Sequence, residues 1–148
     1  MPSSEETRRI KVLPDGNRRS DDDFFMNGSG IFTFTQTDVP ASIRKFFADE
    51  AIDPNEIDYF IFHQPNRFLL EKLARKLNLD LGKVPSNIVE KYGNPSSASI
   101  PLTVCHNVRE RILKEKLRIC MAGFGVGLTW GGLVLEAGPL KRCELLET

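Results

Sequence analysis

The stretch from Leu117 to Ala137 is the most apolar in this chain, and it restricts the fold more than any other segment. Five glycines and Arg118 interrupt it, so it cannot cross a bilayer as a helix. Its β-branched and aromatic residues suit a buried pair of strands, Leu117–Ala122 and Thr129–Ala137. The run Gly123-Phe124-Gly125-Val126-Gly127 joins them. A second apolar run, Ile57 to Phe62, shows no polar alternation after Asp58 and suits a strand covered on both faces, between helix layers.

Helical spacing surrounds these strands. Leu70, Leu73, Ala74 and Leu77 fall at i, i+3, i+4 and i+7, with Glu71, Lys72, Arg75 and Lys76 opposite, which predicts an amphipathic helix. Another helix is expected after the Gly93-Asn94-Pro95-Ser96-Ser97 loop, with Ala98, Leu102, Cys105, Val108 and Ile112 as its apolar stripe. Pro40 to Ala51 reads as helical, with Ile43, Phe47 and Ala51 on one face, and Asp53-Pro54-Asn55 ends it. Ile31 to Thr35 is ambiguous: its alternation and threonines favour a strand, whereas Phe32, Val39, Ile43 and Phe46-Phe47 fit a helix interrupted near Pro40. Phe24-Phe25-Met26 reads as a short strand ending at the Asn27-Gly28 turn. The order strand, helix, strand, helix, strand, strand implies one layered α/β domain with a mixed sheet.

Residues 1–23 have no hydrophobic period and are expected to be a linker or surface loop, with a turn signal at Pro14-Asp15-Gly16-Asn17 and a charge run from Arg18 to Asp23. The first nine residues lack the apolar core of a signal peptide, so the expected compartment is the cytoplasm. The 148 residues are enough for one domain, and 41% hydrophobic content suits a globular core. Twenty Lys and Arg balance twenty Asp and Glu, which argues against a nucleic-acid partner. Three cysteines without paired spacing argue against a disulfide framework and against a metal site of the zinc-knuckle type.

Three loops carry the residues suited to chemistry, outside the ends of expected strands where α/β proteins place sites. His63-Gln64-Pro65-Asn66 follows the buried strand; an imidazole held there serves as a fixed hydrogen-bond donor or base, or equally as a strand cap bonded to nearby backbone. Asn94-Pro95 fits a plain helix start, and has a functional reading only if the amide faces the same cavity as His63. Gly123 to Gly131 is either a simple hairpin or a place where backbone amides approach a ligand oxygen; a strand follows it, so it is no dinucleotide loop. No catalytic cysteine is expected: Cys105 lies on a helix stripe, Cys120 within a strand, and Cys143 in the polar tail. His106 adjoins Cys105 in sequence, but neighbouring helical residues diverge, so it is read as a surface or packing residue.

Together the loops resemble the C-terminal half of β-ketoacyl-[acyl-carrier-protein] synthase III, a thiolase-fold condensing enzyme. The matching runs are His63-Gln64-Pro65-Asn66, Tyr92-Gly93-Asn94-Pro95-Ser96-Ser97-Ala98-Ser99-Ile100-Pro101 and Gly123 to Gly131, in the same order and spacing, and Phe25-Met26-Asn27-Gly28 resembles the family's opening strand. The likeness covers residues 24–137. It implies one thiolase-like half, residues 24–148, with helices layered on a mixed sheet of five strands or a similar number. His63 would be the catalytic histidine and Asn94 the catalytic asparagine, donating to the enolate formed when a malonyl thioester loses carbon dioxide. Phe124, Gly125, Val126 and Gly127 would shape the pocket and its oxyanion contact. No cofactor is implied beyond the substrates, acyl-CoA and malonyl-carrier protein.

The family's nucleophilic cysteine belongs to its other half, so this chain is expected to be inactive alone, as a fragment or one partner of a split enzyme. The implied partners are that N-terminal half, an acyl carrier protein and, in the full-length form, a second copy; neither nucleic acid nor a membrane is implied. Arg67, Lys72, Arg75 and Lys76 are the candidate carrier-protein contacts, since Phe68 stands where the family often has a basic residue. Pro65, Pro95-Ser96 and Val126 also depart from the usual pattern. A non-catalytic module of the same fold, binding a thioester or a protein, is the alternative function.

Overall fold

The computed structural model describes residues 4–23 and 26–146. α1 (Glu5–Arg8) is one turn capped by the Ser4 hydroxyl. A hairpin follows, β1 (Lys11–Val12) antiparallel to β2 (Arg18–Arg19). Its turn is the Pro14–Asn17 signal, closed by the Leu13 amide donating to the Asn17 carbonyl at 2.9 Å. The segment expected to be a loop therefore carries small elements of its own.

Phe24 and Phe25, the core of the first expected strand, lie outside the described residues. Asn27 is a helix cap rather than a strand-ending turn: its side chain accepts the Gly30 amide at 3.0 Å and opens α2 (Gly28–Gln36). The ambiguous Ile31–Thr35 run is thus helical. Buried Thr35 satisfies its hydroxyl on the Phe32 carbonyl at 2.8 Å, which lets a β-branched polar residue sit inside a helix. α3 (Asp38–Asp49) buries Val39, Ile43 and Phe47; Ala51 lies past its end, exposed, and not on that face.

β3 (Tyr59–Phe62) leads to α4 (Arg67–Lys76), which begins where the Asn66 side chain accepts the Leu69 amide at 2.8 Å. α4 buries Leu69, Leu70, Leu73 and Ala74. α5 (Ile88–Tyr92) ends at Gly93, and one continuous helical run follows: α6 (Ser99–Thr103), a π-helical turn over Val104–Val108, and α7 (Arg109–Ile112). The expected single stripe fails here. Val108 and Ile112 are buried, but Leu102 and Cys105 are only half-buried and Ala98 is exposed. Before the π turn the inward positions are Ser99 and Thr103, because the wider turn shifts the helical phase. The Thr103 hydroxyl bonds the Ser99 carbonyl at 2.7 Å, so the buried polar pair is satisfied.

β4 (Leu117–Gly125) runs parallel to β3, with Phe62 opposite Ala122, and β5 (Thr129–Ala137) runs antiparallel to β4, with Gly125 opposite Thr129. The mixed sheet, ordered β3-β4-β5, has three strands among the described residues, fewer than the resemblance implies. Phe60 and Phe62 pack with Phe47, Leu70, Leu73 and Cys120, while Ile61 packs with Val108, Ile112, Ile119 and Cys143. Successive strand residues point to opposite faces, so β3 is covered on both, as its unbroken apolar run predicts. Truncating Phe60 or Phe62 to Ala would cost about 3–5 kcal/mol. Cys143 is a correction: it is buried in the core rather than part of a polar tail. β5 is the sheet's outer strand and leaves Trp130 42% and Leu133 47% exposed. No helix among the described residues is long and apolar enough to cross a membrane.

Candidate active site

His63 extends the β3 ladder by one bond, its amide donating to the Ala122 carbonyl at 2.8 Å. The residue after it, Gln64, is buried and donates from Nε2 to the Phe62 and Pro85 carbonyls, both at 3.0 Å. Asn66 then starts α4. The imidazole therefore hangs from backbone that is tied down on both sides. Its Nδ1 lies 2.8 Å from the Ser99 hydroxyl, and the ring meets Phe124 edge to face at 5.7 Å. Burial holds its pKa below the ordinary 6.5, against a smaller opposing effect of a hydrogen bond with the Ser96 backbone. Burial thus favours the neutral form of the ring.

Asn94 follows Gly93, where α5 ends. It does not cap α6 directly. Its Oδ1 accepts the Ser96 amide at 3.0 Å, forming an Asx turn. This bond occupies the amide oxygen and leaves the Nδ2 hydrogens to donate elsewhere.

These residues meet in one cavity of about 600 Å³, which His63, Asn94, Ser99, Phe124 and Gly125 line together with Ile31 and Phe34 of α2. It sits at the carboxyl ends of β3 and β4, and no Lys, Arg, Asp or Glu is among its lining residues. Gly127 is not among them; it turns the chain between β4 and β5 with φ +78°. Val126 shares that turn. Two contributors escaped the sequence. Ser99 is the partner of His63, and its visible signal was a polar i, i+4 pair with Thr103 where an apolar stripe was sought. The α2 wall was hidden by the ambiguous Ile31–Thr35 pattern.

Arg67, Lys72, Arg75 and Lys76 all lie on α4 but are differently engaged. Arg67 bonds Glu71 at 2.8 Å and Glu90 at 2.7 Å, and Arg75 lies 3.9 Å from Glu71. Lys76 donates to the Gln36 carbonyl at 2.5 Å, while Lys72 sits 5.3 Å over the Phe68 ring. None of the three cysteines is among the cavity's lining residues. Burial pushes the Cys120 thiol up to about 12 and Cys143 up to about 11. No cluster of three His, Cys, Asp or Glu suited to a metal ion occurs among the described residues.

A layered α/β domain with an uncharged, His- and Asn-bearing cavity at its strand ends narrows the class. Residues 47–137 match the family described as 3-oxoacyl-[acyl-carrier-protein (ACP)] synthase III C terminal. The β-ketoacyl-[acyl-carrier-protein] synthase III of Porphyra umbilicalis is 37% identical over 135 residues, covering 91% of this chain and 40% of that protein. The enzyme of the same description from Streptococcus gordonii is 41% identical over 112 residues, covering 74% and 34%. The crystal structure of a 3-oxoacyl-(acyl-carrier protein) synthase from Burkholderia xenovorans superposes with a TM-score of 0.81 at 35% identity, over 99% of this chain and 45% of that one. The chain belongs to the C-terminal domain family of 3-oxoacyl-[acyl-carrier-protein] synthase III, among the thiolase-like condensing enzymes. It spans between a third and two fifths of the length of these curated relatives.

Proposed function

We propose that this chain supplies the enolate-stabilising half-site of a 3-oxoacyl-[acyl-carrier-protein] synthase III, which condenses an acyl thioester with malonyl-carrier protein in fatty acid synthesis. The observation that carries the reading is the shared cavity of His63 and Asn94. In the tautomer in which the Ser99 hydroxyl, 2.8 Å away, donates to Nδ1, the neutral imidazole carries its proton on Nε2, and Asn94 has Nδ2 hydrogens to spare. When the malonyl thioester loses carbon dioxide, its carbonyl oxygen becomes an enolate oxygen. Two fixed donors in an uncharged cavity stabilise that developing charge without reorganising, each by about 3 kcal/mol. The enolate carbon then attacks the acyl thioester carbonyl, and the tetrahedral intermediate expels a cysteine thiolate.

That cysteine comes from the part of the relatives that this chain does not span, because Cys105, Cys120 and Cys143 lie away from the cavity. Trp130 and Leu133 are exposed on opposite faces of β5, the sheet's outer strand, which leaves an apolar edge for an adjoining half to cover. An acidic carrier protein would meet α4, with Lys72 its freest cation, and Arg67 serving more to tie α4 to α5.

A chimera tests this directly: the C-terminal part of the Burkholderia xenovorans enzyme is replaced by the superposing residues of this chain. The chimera is expected to condense acetyl-CoA with malonyl-carrier protein, and His63→Ala is expected to abolish that activity. A folded chimera that binds both thioesters but never condenses them would favour a binding module instead.

A further inference from the structure

A different part of the molecule holds chemistry that the condensation does not use. Cys143 Sγ lies 3.5 Å from Cys105 Sγ, although 38 positions separate them in sequence. Both are free thiols. Cys105 sits within the π turn, half-buried, and lines an open cavity of about 670 Å³ together with Tyr92, His106, Arg109 and Glu144. Cys143 lies behind it, buried among Ile61, Val108 and Ile112. A disulfide needs its sulfurs about 2.05 Å apart, so the pair must close by roughly 1.5 Å. The C-terminal segment that carries Cys143 follows β5 and lies outside the sheet; among the described residues its backbone is joined to the helical run by the Leu140 N–H donating to the Ile112 carbonyl at 2.8 Å. Cys120 cannot compete, since it packs on the opposite side of the sheet with Phe60 and Phe62.

We propose that Cys105 and Cys143 are a redox modification site, which a peroxide converts to an intramolecular disulfide that fastens the C-terminal segment to the π turn. The Cys105 thiolate, reached through the cavity, attacks one peroxide oxygen; the O–O bond breaks, hydroxide leaves, and Cys105 becomes a sulfenic acid. Cys143 Sγ then attacks Cys105 Sγ and displaces hydroxide, forming the S–S bond. Two thiols lose two electrons and two protons, and one hydrogen peroxide becomes two waters. Burial lowers the reactivity of Cys143 toward peroxide itself, which sets the order of the two steps.

The folded chain is treated with hydrogen peroxide in the presence of dimedone, which traps sulfenic acids, and is then mapped by mass spectrometry. The wild type is expected to become two hydrogens lighter, to yield a linked Cys105–Cys143 peptide, and to keep Cys120 reduced. Trypsin cleavage after Arg142 is expected to slow by about tenfold on oxidation, because local opening of the segment is restricted. Cys143→Ser is expected to leave Cys105 dimedone-labelled and cleavage unchanged. A wild type that carries dimedone on Cys105 without the linked peptide, or whose thiols oxidise only after denaturation, overturns the proposal.

Discussion

Two cavities of similar size differ in their chemistry: one lies at the carboxyl end of β3, the other beside Tyr59, the first residue of that strand. The one at its carboxyl end holds His63, Asn94 and Ser99 against Phe124 and has no charged lining residue. The one at its amino end, beside Tyr59, is lined by Lys91, Arg109, Glu110, Arg111 and Glu144. A fixed hydrogen-bond donor is worth most where mobile charges and water do not compete with it, which is the first cavity. The second is lined by charges of both signs, and the Cys105 thiol borders it. The proposed oxyanion site and the proposed modification site thus lie in different cavities.

The largest effect that sharpens this contrast is on activity. In the chimera, His63→Ala is expected to lower the rate of condensation by about 10²–10³. His106→Ala, at the second cavity, is expected to change it by less than about twofold, within the small effects typical of surface substitutions. Comparable losses for both would erase the distinction. Next in size is a stability effect confined to the second end. A methyl on Gly138, at φ +100°, would lie 2.2 Å from the Glu115 carbonyl oxygen and 2.9 Å from that of Ile112. Gly138→Ala is expected to cost about 2–3 kcal/mol in denaturant unfolding, since both strain and a backbone clash must be relieved. Unchanged stability would show that this end yields more readily than the packing implies.

A smaller effect tests how His63 is held. Ser99→Ala removes the hydroxyl bonded to Nδ1 and is expected to reduce kcat by about tenfold, the equivalent of one hydrogen bond of roughly 1.4 kcal/mol, with KM little changed. Ser99→Thr is expected to recover part of it. The smallest effect is in pH. Burial lowers the His63 pKa in the folded state, so the neutral, donating ring persists below pH 6.5 and activity falls only as more acid protonates it. In the unfolded chain the ring takes up its proton near 6.5, so stability is full above that pH and declines as pH falls toward the lower folded value. An NMR titration of His63 with a midpoint at or above 6.5 would contradict both statements.

Much of this was legible in the chain itself, for identifiable reasons. β3 could be read because an unbroken apolar run has few alternatives to a strand buried on both faces, and α4 because its polar and apolar residues separate cleanly at helical spacing. His63, Asn94 and Phe124 drew notice because each lies in a short motif that resembles the family's, and the three line one cavity. The 99–112 helix was misread in its phase because a π turn leaves no signature in a 3.6-residue period. α2 was ambiguous because Thr33 and Thr35 favour strands locally, and only the Asn27 cap and its packing decide otherwise. Cys143 was misplaced because the residues around it are polar while its own side chain turns inward, a choice made by tertiary contact alone.

The central claim is that His63 and Asn94 donate to one oxygen, and a double-mutant cycle on malonyl-thioester decarboxylation in the chimera tests it most directly. Each single substitution to Ala is expected to slow decarboxylation by about 10²-fold or more. Because both act on the same developing charge, the double variant is expected to lose far less than the product of the two single losses. Losses that multiply fully, or a near-normal rate in either single variant, would contradict the claim.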